Sequence, residues 1–446
     1  MVISNYIITT KLDEGGVLLY HNLYTTLIQL PEDIYKQIFV NLDFTNKELV
    51  EELCKMGFIQ EDSQKELDII QKIRAHDANS TAQSVTIFST NDCNARCYYC
   101  FEEGIERNKM SPDTAEQIIR FIINNFHNNK LHIQWFGGEP LMAMDIIEYI
   151  TLKLKDAGYI LTTHITTNGS YICPEIIDFF KANYESVSFQ VTIDDIGERY
   201  ARIKRYIDID SEVAFDKIIS NCKLIISNQL FLAIRINFLP KKFNNAKDIY
   251  MKLKMLFGGM DTSMLRIYLS PITLSEECNA CSETYLDAPT FVELAKFHYY
   301  NHVNDFSALE RKSILMQSFY LKPKPSSCGA TRKNQLVITA DGKLYKCHRF
   351  VRYGGNKYVV GNVWDGIDKS SAHYISFMDI ELKDEECIGC KSLPICQGGC
   401  YAITHIYGKK LACAKAERME TFLKLYYDEL KLKTENDIYT NNNPTE

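Results

Sequence analysis

Between Val85 and Pro271 the chain alternates short apolar runs with longer amphipathic ones. The runs VTIF, LHIQWF, HITT, SVSFQVTI, LAIRINFL and LRIYLS are rich in β-branched and aromatic residues and read as strands. Between them, apolar positions recur at helical spacing and predict helices near Asp113–Asn125, Met144–Ala157, Pro174–Ala182, Ala214–Ser227 and Asn245–Phe257. Strands that alternate with helices pair in parallel through right-handed crossovers. This stretch therefore specifies an α/β fold, a complete or partial (β/α)6 barrel of the TIM type. Barrel active sites sit at the C-terminal ends of the strands, which is where the unusual residues of this chain fall.

The flanks follow other patterns. Residues 1–80 hold short apolar segments, helical stretches around Glu32–Val40 and Asn46–Met56, a strand-like Gly57-Phe58-Ile59 and an amphipathic helix Gln64–Ile73. They read as a small α+β, winged-helix-like module, closed by the polar stretch Ala75–Gln83. The barrel is expected over residues 81–300. From 310 to 432 the pattern breaks into short strands and tight turns such as TADGKLYKC, with a helix near Cys413–Leu430. Residues 433–446 are polar and are expected to be disordered. A net charge of −7 offers no electrostatic footprint for nucleic acid or an anionic membrane surface. No stretch approaches the roughly 18 apolar residues of a membrane span, and the N-terminus lacks a secretory pattern. A cytoplasmic location is the expectation, with neither nucleic acid nor membrane as partner. In a reducing compartment, 15 cysteines point to metal-bound thiolates or reactive thiols before disulfides.

Ten of those cysteines form two arrays. The first, Cys93-x3-Cys97-x2-Cys100, follows directly on the first barrel strand. Three thiolates in so short a loop can hold three irons of a cubane and leave the fourth iron open to a small molecule. A fragment of a zinc site is the competing reading, but zinc takes four N or S ligands and the loop offers no fourth. The spacing, with the aromatic Tyr99 before the last cysteine, resembles the motif of the radical S-adenosylmethionine (SAM) superfamily. The resemblance implies a [4Fe-4S] cluster whose open iron binds SAM and whose electron releases a 5′-deoxyadenosyl radical. One βα unit later, Gly137-Gly138-Glu139-Pro140 is similar to the superfamily's SAM-contacting turn. Its glycines permit close backbone approach, and Glu139 offers an acceptor for the SAM ammonium. By the same resemblance Thr192 and Arg235 approach SAM from later strands, although Arg235 also reads as a barrel-closing ion pair. One of Arg202, Lys204 and Arg205 would meet the SAM carboxylate.

The second array runs Cys328, Cys347, Cys387, Cys390, Cys396, Cys400, Cys413. It resembles the SPASM extension of radical SAM enzymes, which carries two auxiliary [4Fe-4S] clusters. Carried over by position, Cys387, Cys390, Cys396 and Cys413 hold the distal cluster and Cys328, Cys347 and Cys400 the proximal one. Sulfatase-maturing relatives have a further cysteine shortly after the first, where this chain reads GATRKNQ, and an aspartate where it has His348. The proximal cluster thus has an open iron for a substrate thiolate, or is completed by another side chain such as Cys278 or Cys281. His348 is a candidate proton acceptor. Cys54, Cys173 and Cys222 lie in helical, apolar contexts and read as core.

The N-terminal module resembles the leader-binding element of peptide maturases, in which a leader adds as a strand to a sheet edge. A structural cap or a DNA-binding winged helix are the alternatives, the latter opposed by the lack of a basic stripe. Together these features are expected of an enzyme that modifies a ribosomally made precursor peptide, with a thioether from a cysteine sulfur to a carbon as the favoured product. Carbon–carbon crosslinking, epimerisation and Ser/Cys oxidation remain open, as does a non-enzymatic iron–sulfur redox sensor. The expected partners are a precursor peptide with its leader and a reductant such as flavodoxin or ferredoxin.

Overall fold

The computed structural model describes residues 1–100, 102–272, 288–302, 316, 321–353, 357–407 and 418–441; Cys278, Cys281 and Cys413 lie outside them. The chain divides into two compact units. The first comprises Met1–Ala78, Ala288–Gly329 and Ile380–Glu446, the second Asn79–Asp287 and Ala330–Asp379.

The first unit opens with β1 (Val2–Ile3), β2 (Ile7–Lys11), β3 (Val17–His21) and β4 (Thr26–Leu30). Next come α1 (Glu32–Tyr35), a π-helical turn Lys36–Val40, α2 (Lys47–Lys55), β5 (Ile59–Gln60) and α3 (Gln64–Ala78). β2, β3 and β4 form an antiparallel sheet in that order, and β1 pairs with β5. One sheet face, through Val17 and Leu19, packs with Val50 and Leu53 of α2. α3 runs to Ala78, several residues beyond the expected end, because AHDA continues the helix without a Gly or Pro to stop it.

The second unit is built on β6 (Ser84–Thr90), β7 (Lys130–Gly137), β8 (Ile160–Thr167), β9 (Ser186–Thr192), β10 (Phe231–Phe238) and β11 (Leu265–Pro271). All neighbouring pairs are parallel and in sequential order. The connecting helices are α4 (Pro112–Asn125), α5 (Met144–Asp156), α6 (Pro174–Asn183), α7 (Glu198–Lys204), α8 (Ser211–Ser227) and α9 (Phe243–Leu256). β7, β8 and β9 alternate: Leu131, Ile133 and Trp135 of β7 are buried, while His132, Gln134 and Phe136 between them are half-buried. The second set is largely polar and bonded across strands, with His132 Nδ1 3.0 Å from Thr162 Oγ1 and His164 Nδ1 2.8 Å from Ser188 Oγ. The α/β expectation holds for every strand and for the five helices it named. The sheet is larger than read: β12 (Gln335–Ile338) pairs in parallel with β6, and β13 (Leu344–Tyr345) returns antiparallel, giving eight strands. The Asp-Gly turn at Gly342 (φ +75°) signals this hairpin locally, but nothing local signals its distant partner β6.

The remainder of the first unit comprises α10 (Ala288–His302), α11 (Glu385–Ile388), α12 (Leu393–Cys396), α13 (Tyr401–Tyr407) and α14 (Met419–Asn441). α14 covers the other face of the small sheet, with the Tyr426 ring 6.2 Å from that of Tyr20 and Tyr427 Oη donating to Gln29. The expected start of this helix at Cys413 lies outside the described residues; from Met419 it continues to Asn441, through most of the segment read as disordered. No Gly or Pro precedes Pro444 to interrupt it. Among the described residues, no helix is long and apolar enough to cross a membrane.

Of the three cysteines read as core, only Cys222 is buried. Cys173 is half-buried at the start of α6, and Cys54 is exposed. The buried stripe of α2 consists of Val50 and Leu53, which leaves Cys54 on the solvent side. Iodoacetamide is expected to label Cys54 in the folded protein and Cys222 only after denaturation, as peptide mapping by mass spectrometry would record.

Candidate active site

Strand β6 ends at Thr90, and the first cysteine array occupies the loop after it. The loop is tied down on several sides. Asn91 N–H and Nδ2–H donate to the backbone and side-chain oxygens of Asn108, Arg96 N–H to Lys204 O at 2.7 Å, and Ile207 N–H to Asn94 O at 2.9 Å. The Cys100 amide donates to Cys97 O at 3.1 Å, closing the turn between those two thiols.

The Gly137-Gly138-Glu139-Pro140 turn locks onto this loop from the next strand. Gly138 N–H donates to Thr90 O at 3.2 Å and Glu139 N–H to Asp92 O at 2.8 Å. A Cβ at Gly137 would stand 2.2 Å from Thr90 O, and one at Gly138 2.1 Å from Asp92 O, so neither position accepts a side chain. Glu139 is fully buried, and both carboxylate oxygens are engaged within the turn: Leu141 N–H and Thr167 Oγ1–H donate to Oε1, Asn168 N–H to Oε2. Burial raises its pKa to about 7 against those three donors. Glu139 braces the turn, and neither it nor the buried Pro140 lines the cavity described next.

That cavity, of about 370 Å³, is lined by Cys93, Cys97 and Cys100, by Tyr99, Gly137 and Gly138, and by Thr192, Lys204, Arg235 and His348. Thr192 and Arg235 are cross-strand partners on β9 and β10. Arg235 Nε donates to Asn237 Oδ1 at 2.9 Å, so its described partner is a neutral amide and not the carboxylate of a barrel-closing pair. Residues not foreseen from sequence also line it, among them Gln134, Phe136, Thr166, Asn168, Gln190 and Asn237. Each lies on a strand or in the loop just after one, so the rule that places barrel sites at strand ends could have found them.

The structure distinguishes among the three candidate bases. Arg202 is exposed and paired with Glu198 within α7, and Arg205 Nε donates to Arg96 O. Lys204 is 2% exposed and reaches the cavity, its Nζ 3.0 Å from Asp194 Oδ2 and 2.9 Å from Tyr99 Oη, which also donates to Asp194. Burial disfavours the ammonium, but Asp194 more than restores it and the Lys204 pKa is raised.

Burial, with Glu139 adding repulsion, pushes the Cys93 thiol up to about 12. Burial and Glu102 push Cys100 to about 12, and burial raises Cys97 against the pull of Lys204. Desolvated thiols of this kind ionise when a metal replaces the proton. The Ala95 amide donates to Cys93 Sγ at 3.3 Å and Asn168 Nδ2 to the same sulfur at 3.9 Å, the type of contact that tunes cluster sulfurs. Among the described residues no three His, Cys, Asp or Glu side chains converge as on a single metal ion. A cubane sets its irons at separate corners, and three thiols lining one cavity match that requirement.

His348 forms part of the wall, its ring 5.1 Å from that of Phe136. Burial, Arg349 and Arg235 push its pKa down to about 4, so near neutral pH it is an uncharged and weak base. Cys347, preceding it, is half-buried in the second unit. Cys328, Cys387, Cys390, Cys396 and Cys400 are half-buried in the first.

Residues 87–250 match the family model of the radical SAM superfamily. The chain carries a radical SAM domain. It is an enzyme with that domain, which implies SAM and a [4Fe-4S] cluster as cofactors. Over 92% of its length the chain is 23% identical to the radical SAM cyclopropyl synthase TigE of Paramaledivibacter caminithermalis, covering 91% of that protein. It is 26% identical to a cysteine-type anaerobic sulfatase-maturating enzyme of Clostridium novyi, over 70% of this chain and 86% of that one. In fold it is similar to Streptococcus suis SuiB, with a TM-score of 0.54 at 16% identity over 92% of this chain and 98% of that one. SuiB has also been crystallised with the precursor peptide SuiA.

Proposed function

We propose that this radical SAM enzyme modifies a ribosomally synthesised precursor peptide and joins a cysteine sulfur to a carbon of another residue. The observation that carries the reading is the cavity in which Cys93, Cys97 and Cys100 face Thr192, Lys204 and Arg235 at the strand ends of the barrel. The peptide as substrate is supported by SuiB, whose structure with a precursor peptide has the same fold. When bound, the first cluster and SAM would supply the electron and the 5′-deoxyadenosyl group that takes one hydrogen atom from the peptide carbon, and the auxiliary clusters would accept the remaining electron as the cysteine sulfur gives up its proton and bonds to that carbon.

The chain's own residues bind and orient. Cys93, Cys97 and Cys100 hold the first cluster, with Tyr99 beside them. Gly137 and Gly138 let the backbone close on the cysteine loop and leave room for SAM. Lys204, held by Asp194, presents a fixed cation to the SAM carboxylate, and Thr192 and Arg235 line the cavity from the neighbouring strands β9 and β10. Phe136 and the neutral His348 form a wall that excludes water from the radical. Cys328, Cys347, Cys387, Cys390, Cys396, Cys400 and Cys413 hold two auxiliary clusters in a SPASM-type extension. The leader adds to an edge of this sheet: α2 and α14 cover its two faces, and among the described residues β2 and β4 each have a strand partner on one side only. Flavodoxin or ferredoxin supplies electrons in the cytoplasm.

A carbon–carbon bond is the second reading, favoured by the 23% identity to a cyclopropyl synthase along nearly the whole chain. Mass spectrometry of a cysteine-containing precursor peptide after anaerobic incubation with the enzyme, SAM and dithionite separates the two. A thioether predicts the loss of two hydrogens per crosslink and a cysteine that no longer alkylates. The same mass loss with a fully alkylatable cysteine assigns carbon–carbon coupling and refutes the thioether.

A further inference from the structure

The loops that carry Cys387, Cys390, Cys396 and Cys400 are held by the N-terminal segment of the same unit, through side chains that donate to loop carbonyls. Tyr6 Oη donates to Ile388 O at 3.2 Å, and Asn22 Nδ2 donates to Lys391 O at 2.6 Å. Arg74 of α3 makes the widest set. Its Nε donates to Ile380 O at 2.9 Å and its Nη1 to Gln397 O at 3.0 Å and Gln397 Oε1 at 3.2 Å. Gln397 lies between Cys396 and Cys400, is 4% exposed, and has a left-handed backbone at φ +56°, followed by Gly398 and Gly399 at +86° and +81°. A non-glycine residue in that region is strained and persists only where its surroundings impose it. The planar guanidinium suits the task, because it reaches two chain segments at once and keeps its charge.

We propose that Arg74 is a positioning residue for the second cysteine array: it fixes the left-handed turn between Cys396 and Cys400 and thereby the direction of both thiolates. Tyr6 and Asn22 do the same for the Cys387–Cys390 turn, whose Cys390 N–H donates to Cys387 O at 3.1 Å. The leader-binding module and the cysteine loops then form one mechanical body, in which a change at either is felt at the other. This rests on the reading of the array as cluster ligands.

The test uses the full chain with Cys93, Cys97 and Cys100 replaced by alanine, so that only auxiliary iron remains after anaerobic reconstitution. Arg74→Ala and Arg74→Lys are placed in this parent, with folding checked by circular dichroism. Lysine keeps the charge but cannot bridge Ile380 and Gln397, so it remains informative where alanine fails to fold. Removing a group that orients a metal ligand typically weakens metal binding about 10–100-fold. Iron release to a chelator is therefore expected to be at least about 10-fold faster in the variants, with altered g-values in the reduced electron paramagnetic resonance spectrum. Release rates and spectra equal to the parent's in a folded variant overturn the positioning role and leave the cluster reading standing. A parent that retains no iron overturns the cluster reading itself, and this inference with it.

Discussion

Lys204→Met is expected to destabilise the radical SAM domain by about 3–5 kcal/mol, the range found when one partner of a buried ion pair is removed. Lys204 and Asp194 have side chains 3% and 2% exposed and lie 3.0 Å apart. Without the ammonium, Asp194 keeps, among the described residues, the Asn237 amide on Oδ1 and the Tyr99 hydroxyl on Oδ2. A buried carboxylate that has lost its cation is left as an uncompensated charge. The loss should appear in urea denaturation of the apo protein followed by tryptophan fluorescence. Asp194→Asn added to Lys204→Met should recover part of it, since no uncompensated charge then remains. A loss below about 1 kcal/mol in the single variant would show that Lys204 is not part of the barrel's internal framework.

Gly138→Ala is expected to reduce 5′-deoxyadenosine formation by about 100-fold or more, with little change in the far-ultraviolet circular dichroism. The added methyl would meet Asp92 O at 2.1 Å, a backbone atom next to Cys93, and relief requires the cysteine loop to shift by about 1 Å. Displacement on that scale at a reacting centre costs about 100-fold. The same substitution at exposed Gly158 meets nothing within 4 Å but strains a left-handed backbone (φ +91°), so it controls for strain away from the cysteine loop, with activity expected near the unsubstituted level. Equal activity of the two variants would exclude a tight turn at Gly138 as a condition for the chemistry.

The barrel was legible because its pattern is local: each strand and helix declares itself by period, and sequential parallel pairing follows from the alternation. β12 was not, because its place beside β6 depends on contacts between segments some 250 residues apart, as Gln335 opposite Ser84 records. The cysteine arrays and the Gly-Gly turn stood out through residue type and spacing, but the direction in which side chains point did not. Glu139 has the chemistry of an ammonium acceptor, yet the turn it belongs to engages both of its oxygens. Lys204 was one of three bases until α7 put Tyr200, Ala201 and Lys204 on its buried face and Arg202 outside. Helical periodicity contained that answer, since Tyr200 and Lys204 are four residues apart. Cys54 misled for the converse reason: an apolar neighbourhood in sequence does not fix which side of α2 a residue occupies.

The most direct test of the account is anaerobic reconstitution of the full chain with iron and sulfide, addition of SAM and dithionite, and chromatography for 5′-deoxyadenosine, with Cys93→Ala alongside. The account predicts 5′-deoxyadenosine from the unsubstituted protein and none above background from the variant. Absence of 5′-deoxyadenosine from an iron-loaded, unsubstituted protein, or equal amounts from both, would contradict it.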